Sequence, residues 1–374
     1  MPSVPRQTTA RKKNLLLTIR GLCHTGHGEP NLASQASRRH QRMNNVVKVN
    51  PEAPEPDAME RAATILRGGG LVAFPTETVY GLGALALHLG AIHKIFIAKE
   101  RPDWDPLIVH VRDVAMARSL MKTVPPSFEL LASRFWPGPL TFVVDKADHV
   151  PGEVTAHRPT VALRMPGHPV ATALLAATAA PIAAPSANRF GRPSPTRAQH
   201  VLEDLASRVD LILDAGPTPM GVESTVLDLT QSPPTILRPG GVAREELEKA
   251  VGEVQLASAV EDEAVHAGLA GPGMSLKHYS PRARVELLEG AADETVIALK
   301  RRVEELKRQG KTFYILSNYG DSRLYAQTLF DQMRQADSQQ ADVILAILPP
   351  ARGLGLAVRD RLLRAAGVRA AAAK

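Results

Sequence analysis

The chain has 374 residues, 44% of them hydrophobic and 22% charged, with 45 basic and 38 acidic side chains for a formal net charge of +7. At about 150 residues per domain this is two or three domains of ordinary globular composition. One cysteine, Cys23, excludes a disulfide framework, a cysteine zinc cluster and an iron–sulfur site, and no apolar run approaches the roughly 18 residues that span a bilayer, so a soluble, cytoplasmic protein is expected.

The positive charge is local. Residues 1–42 hold eight basic side chains against Glu29 alone, and residues 43–374 hold 37 of each sign. A basic surplus points to nucleic acid or acidic membranes, and here it does so only for the tail. Residues 1–45 show no sustained period, and their apolar patch, Leu15–Leu17, is too short for a secretory signal. The segment is expected to be a disordered extension, or the product of an upstream start with the working protein beginning at Met43. An organelle transit peptide, or a polybasic arm in weak contact with RNA, is the alternative.

Asp57 is a candidate N-cap for a helix carrying Met59, Ala62, Ala63 and Leu66, which Gly68–Gly70 ends. The run Leu71–Phe74 then reads as a buried strand. The alternation continues through a helix near Ile92–Ala98, strand Leu107–Val111, helices near Val114–Met121 and Phe128–Phe135, and strand Leu140–Val144. Further strands are predicted at Val161–Arg164, Ile182–Ala184, Leu211–Leu213, Thr225–Leu229 and Ile236–Leu237, with helices at Val170–Ala177 and from the cap Thr196 through Leu205. Interleaved strands and helices imply an α/β domain over 46–250. Residues 251–282 break the pattern as a linker of about 30 residues, long enough to suggest a functional connection. Residues 283–374 then read as a smaller α/β unit: strand Val285–Leu288, helix Asp293–Arg308, strand Thr312–Leu316, helix Ser322–Met333, strand Val343–Ile347 and helix Gly355–Ala366.

The common nucleotide and hydrolase signatures are absent: no GxxxxGK[ST], no GxGxxG after a strand, no HExxH and no GxSxG. What the chain offers instead is a set of small-polar or cationic loops at strand ends, the usual ligand position in α/β sheets. They are PTETVYGLGA (75–84) with Thr76 and Thr78; AKERPDWDPLIVH (98–110) with Lys99, Arg101 and His110; APIAAPSANRFGRPSPT (180–196) with Ser186, Asn188 and Ser194; GVEST (221–225) with Ser224; and LRPGG (237–241) with Arg238. Lysine and arginine two apart can clamp a polyphosphate, and small residues let backbone N–H groups approach phosphates closely. Each loop alone reads equally as a turn, a helix-end cation or a scaffold histidine. Five in one domain read as a shared cleft.

Together with WPGPLT (136–141), VALRMPGHP (161–169) and PGMSLKHYSP (272–281), these motifs resemble the YrdC-like family in its two-domain form, the L-threonylcarbamoyladenylate synthases, over about residues 46–374. The resemblance implies a twisted mixed sheet with helices around a concave, positive cavity and a smaller Rossmann-like C-terminal α/β domain. It implies a nucleotidyltransferase reaction: L-threonine, bicarbonate or CO2, and ATP give threonylcarbamoyl-AMP and pyrophosphate. The product serves a separate transferase complex that modifies the adenosine beside the tRNA anticodon. By the same carry-over, Lys99 and Arg101 are catalytic. Arg101, Asp105, Thr160, Ala184, Ser186, Asn188, Ser194, Arg238 and Tyr279 meet ATP, and Thr76, Thr78, His110, Arg164 and Ser224 meet threonine. Mg2+ is expected to accompany ATP, held by nucleotide and water with no protein metal site.

One departure stands out. Asp105 replaces the asparagine usual before the Pro-Leu pair, and a carboxylate near a triphosphate is repulsive unless a cation intervenes. The rival readings are an RNA-binding or ribosome-maturation factor using the same cavity, which would not need a hydroxyl-lined cleft or a closing linker, and a hydrogenase-maturation enzyme, whose cysteine zinc motifs one cysteine cannot supply.

Overall fold

The computed structural model describes residues 45–257, 278–290, 292–317 and 320–368. Strands β1 (Val46–Lys48), β2 (Val72–Pro75), β3 (Tyr80–Leu85), β4 (Ile108–His110), β5 (Leu140–Asp145), β6 (Thr160–Arg164), β7 (Ile182–Ala183), β8 (Leu211–Asp214), β9 (Thr225–Asp228), β10 (Thr235–Arg238) and β11 (Gln255–Leu256) form one mixed sheet. Its order is β1-β8-β2-β3-β7-β4-β6-β5-β9-β10-β11. Both faces are covered, which is why Leu71–Phe74 is apolar throughout. Leu71 and Ala73 join a core with helices α2 (Leu89–Lys99), α3 (Val114–Ser119) and α4 (Phe128–Phe135), while Val72 and Phe74 join a second core with α1 (Pro56–Arg67) and α5 (Pro169–Thr178).

Several local expectations shift. Helix α1 begins at Pro56, whose fixed φ starts the helix, so Asp57 lies in the first turn and Glu55 takes the N-cap position. Thr196 is not the cap of α6 (Ala198–Leu205); Arg197 precedes the helix, and the Thr196 N–H bonds His200 Nδ1. YGLGAL, expected as loop, is β3. Its Gly83 has no room for a Cβ, which would sit 2.8 Å from Phe74, so the glycine marks close packing and no turn. Within the expected linker, β11 extends the large sheet after helix α7 (Arg244–Val251), and residues 258–277 lie outside the described residues.

The second sheet is parallel, order β12-β14-β13, from β12 (Arg284–Leu288), β13 (Phe313–Leu316) and β14 (Val343–Ile347), with helices α8 (Ala292–Arg308), α9 (Ser322–Ser338) and α10 (Leu354–Ala366). Its core is shared with the first unit. Val79 and Val222, from loops of the large sheet, pack among Tyr279, Tyr325, Phe330 and Leu362. The chain is thus a large mixed α/β unit with a small parallel one docked on its loop face.

Candidate active site

That loop face encloses a cavity lined by Thr76, Thr78, Arg101, Ile108, His110, Arg164, Ala184, Ser186, Glu223, Ser224, Arg238, His278 and Tyr279, among others. Strand register builds its centre. Parallel pairing of β4 and β6 sets His110 directly opposite Arg164, so both side chains leave the same face. Antiparallel pairing of β7 on the other side sets His110 opposite Ile182. The His110 ring is 2% exposed, edge-on to Phe74, and its pKa is lowered to about 3 by burial and by Arg164. It is therefore a neutral imidazole at physiological pH.

The loop after β2 folds on its own hydroxyls. Thr76 Oγ1 donates to the Val79 carbonyl at 2.7 Å and lies 2.8 Å from Thr78 Oγ1. Since Thr76 has one hydroxyl proton, Thr78 is the donor of that pair, and its oxygen keeps lone pairs for a ligand N–H or O–H. Between the threonines, Glu77 forms an ion pair with Arg164 at 2.7 Å. Across the cavity, Ser224 Oγ lies 2.8 Å from Thr141 Oγ1, and Arg238 Nη2 donates to the Ser224 carbonyl at 3.0 Å.

The cationic motif divides its work. Arg101 reaches the cavity wall while bonding the Pro106 carbonyl at 2.7 Å and pairing with Asp105 at 2.9 Å. The cation that the Asp105 departure requires is therefore Arg101, and the two are buried together. Lys99 is not in the cavity wall. Its ammonium donates to the carbonyls of Ser186 and Asn188 at 2.5 and 2.6 Å, and burial with Arg101 nearby holds its pKa well below the ordinary lysine value. Asn188 is likewise internal to its loop, taking Ser186 Oγ on Oδ1 and donating to the Arg189 and Arg192 carbonyls. Lys99 and Asn188 thus shape the loop that presents Ser186. Ser194 donates to Glu223 Oε1 at 2.5 Å behind the wall. Thr160 opens β6 four residues before Arg164, on the same face and about 13 Å away at strand rise, with Ala162 and Ile108 in an apolar patch between. The Ala184 N–H is spent on the Ile108 carbonyl.

Tyr279 closes the cavity. It is 1% exposed, at φ 58°, packed edge-on to His278 and against Phe330. The next residue is pinned through the Ser280 N–H to the Gly191 carbonyl at 2.7 Å. With Tyr279 in place the cavity volume is about 50 Å3, room for a few waters. His278 is held neutral by burial and by the surrounding cations Arg101 and Lys99.

Four residues of the site escaped the sequence reading. Glu77 and Glu223 sit inside motifs already singled out, and an acid in a small-polar loop was the available signal. His278 neighbours Tyr279. Arg361, on α10, bonds Glu223 from the second unit, and one arginine among several on a helix carries no local mark.

Residues 64–240 match the family described as telomere recombination (Sua5, YciO and YrdC proteins), and residues 242–367 match the threonylcarbamoyl-AMP synthase C-terminal domain. The threonylcarbamoyl-AMP synthase of Pyrococcus abyssi is 46% identical over 323 residues, covering 82% of this chain and 94% of its own length. That of Bacillus subtilis is 40% identical over 327 residues, covering 83% and 93%. The crystal structure of P. abyssi Sua5 complexed with L-threonine superposes with a TM-score of 0.82 at 42% identity, covering 87% of this chain and 98% of that one. The chain belongs to the two-domain, Sua5-type threonylcarbamoyl-AMP synthase family.

Proposed function

We propose that this chain makes threonylcarbamoyl-AMP from L-threonine, bicarbonate or CO2, and ATP, with residues of the one cavity under Tyr279 as its machinery. The observation that supports this most is that one cavity gathers two polar sets. Arg164, His110, Thr78 and Ser224 suit an amino acid, and Arg101, Ser186 and Arg238 suit a triphosphate. In this reading the threonine carboxylate takes over Arg164 from Glu77, matching a planar anion with a guanidinium fork. Neutral His110, with Thr78 and Ser224, receives the amine and side-chain hydroxyl, and Thr76 holds Thr78 in orientation.

The ammonium first gives a proton to bicarbonate or water; the amine lone pair then bonds to the carbon of CO2 as one C–O π pair moves onto oxygen, and the remaining excess N–H proton passes to water, giving a carbamate. A carbamate oxygen attacks the α-phosphorus, the bond to the bridging oxygen breaks, and pyrophosphate leaves. Such a transfer depends on alignment and charge neutralisation more than on covalent help. Arg101 and Arg238 neutralise the phosphates. Lys99 and Asn188 hold the loop that brings Ser186 to them, and Ser194 acts through Glu223. The nucleoside lies along the patch from Ile108 toward Thr160, past Ala184. Among the described residues no cluster of three or more His, Cys, Asp or Glu could hold a metal ion, and Asp105 and Glu223 are engaged with arginines. We assign Mg2+ to the nucleotide, where phosphate and water would ligate it, and positioning to the arginines.

Tyr279 excludes water from a mixed anhydride that hydrolyses readily. We assign residues 46–250 to catalysis, 251–282 to closure and 283–374 to the docked domain. No helix among the described residues is long and apolar enough to cross a membrane. We place the reaction in the cytoplasm, ahead of a tRNA-modifying transferase complex that consumes the product. The test is pyrophosphate release from ATP and Mg2+ with threonine and bicarbonate present or withheld. Release that needs both, and that serine or valine does not support at equal concentration, is the expected result. No release from folded protein under any condition would sink the reading.

A further inference from the structure

The side chain of Arg361 is fully buried, although it comes from α10 of the second unit. Its Nε lies 2.8 Å from Glu223 Oε2, in the loop that carries Ser224. Its Nη1 donates to the Pro239 carbonyl at 2.9 Å, next to Arg238, and to Asp360 at 2.6 Å. The guanidinium stands 5.1 Å from the ring centroid of Tyr279. Glu223 passes the connection on: its other oxygen takes Ser194, and its carbonyl takes the Gly241 N–H at 3.0 Å. The same loop is wedged against α9, since a Cβ on Gly221 would sit 2.4 Å from the Ala326 carbonyl, and the Gly221 N–H bonds the Thr78 carbonyl at 3.1 Å.

One guanidinium thus ties three things that must be in register for the reaction: the wall holding Ser224, the wall holding Arg238, and the tyrosine that closes between them. We propose that Arg361 is a positioning residue through which the C-terminal domain completes the active site, fixing the Ser224 and Arg238 loops and holding Tyr279 shut. The proposal rests on the synthase reading above. It gives the second domain a task in the reaction that its own fold does not announce. Loss of Arg361 both loosens substrate alignment and opens the mixed anhydride to water.

The test compares full-length Arg361→Met and Arg361→Lys with Arg334→Met. Arg334 is a second buried arginine of the same domain interface, but it bonds Asp204 and the Pro193 carbonyl, outside the cavity wall. Three quantities are read: Tm, KM and kcat for threonine and ATP, and threonylcarbamoyl-AMP recovered per pyrophosphate released. For Arg361→Met, kcat/KM for both substrates is expected to fall ~100-fold, as for a misplacement of about an ångström, and recovery per pyrophosphate to fall with it. Arg361→Lys keeps a buried charge and so folds, but without the fork it reaches one partner and retains most of the loss. Arg334→Met is expected to lower Tm with recovery unchanged. The proposal is overturned if a folded Arg361 variant keeps wild-type recovery and KM, or if Arg334→Met matches Arg361→Met in both. A wild-type enzyme without threonine-dependent pyrophosphate release would instead overturn the synthase reading itself.

Discussion

The two sheets end in loops of opposite character. In the large sheet, the strand ends deliver buried charges to a cavity: Arg101, Arg164 and Arg238 are each at or below 9% exposed, and each is held by a neighbour that a ligand can replace or share. In the small parallel sheet, the strand ends open on a broad crevice of about 540 Å3 beside Asp321, Arg323, Arg352 and Gly353. There two helix starts already hold acids. Asp321 accepts from Arg323 N and Leu324 N, and Glu245 of the large unit accepts from Gly353 N. A Rossmann-like arrangement thus sits in a domain where strand-end donors are engaged by one acid of its own and one from the large unit. A strand-end crevice is a ligand site only where its donors are left for a ligand.

That contrast breaks first, and hardest, at Arg101. Arg101→Met removes the proposed phosphate contact and leaves buried Asp105 without its cation, so a stability loss of roughly 3–5 kcal/mol is expected along with loss of turnover. The double variant with Asp105→Asn should regain most of the Tm in thermal melts but none of the pyrophosphate release. Recovery of both would make the pair a purely structural one. Arg164→Met should raise the threonine KM by ~10–100-fold, the worth of a charge-assisted hydrogen bond pair, with the ATP KM little changed. Titration of initial rates against each substrate checks this, and equal effects on both would move Arg164 out of the threonine side.

The third effect is set by pH. His110 is neutral when folded, with a pKa near 3, against about 6.5 when unfolded. Below pH 6.5 the unfolded chain therefore binds a proton that the native chain does not, and stability falls as pH drops from 6.5 toward 3, by up to about 1.4 kcal/mol per pH unit from this group. Tm measured from pH 7 to 4.5 should fall less steeply for His110→Gln. Identical slopes would show that His110 takes up its proton as readily in the folded chain as in the unfolded one, so that burial does not lower its pKa. The smallest effect belongs to the other sheet. Asp321→Ala should cost about 1 kcal/mol of cap stability and leave KM and kcat where they were; a kinetic change would give the small crevice a part in the reaction.

Much of this was legible because it is local. Leu71–Phe74 announces a strand buried on both faces by its unbroken apolar run, and helices with a clear apolar stripe, such as α1, α4 and α9, appear within a few residues of their predicted places. Small-polar loops after strands marked most of the cavity wall, because ligand chemistry at strand ends needs short hydroxyls and cations. What stayed hidden depends on the partner across the gap. YGLGAL reads as a turn until Phe74 and Ile182 are seen filling the space a Cβ would take at Gly83. Lys99 and Arg101 are indistinguishable as a two-apart cationic pair, yet one turns to loop carbonyls and the other to the cavity.

By itself, the sequence determined the alternation of strands and helices, the loops that carry polar groups, and the identity of the groups available for chemistry. Those follow from periodicity, backbone preference and side-chain type, which act over a few residues. Only the tertiary structure decided which strands became neighbours and so put His110 beside Arg164. It also decided which buried acid met which arginine, and that an arginine from the far end of the chain would reach Glu223. A buried charge is tolerable only against its partner, and for Arg361 and Glu223 that partner is chosen by packing between segments more than a hundred residues apart, where no local pattern reaches.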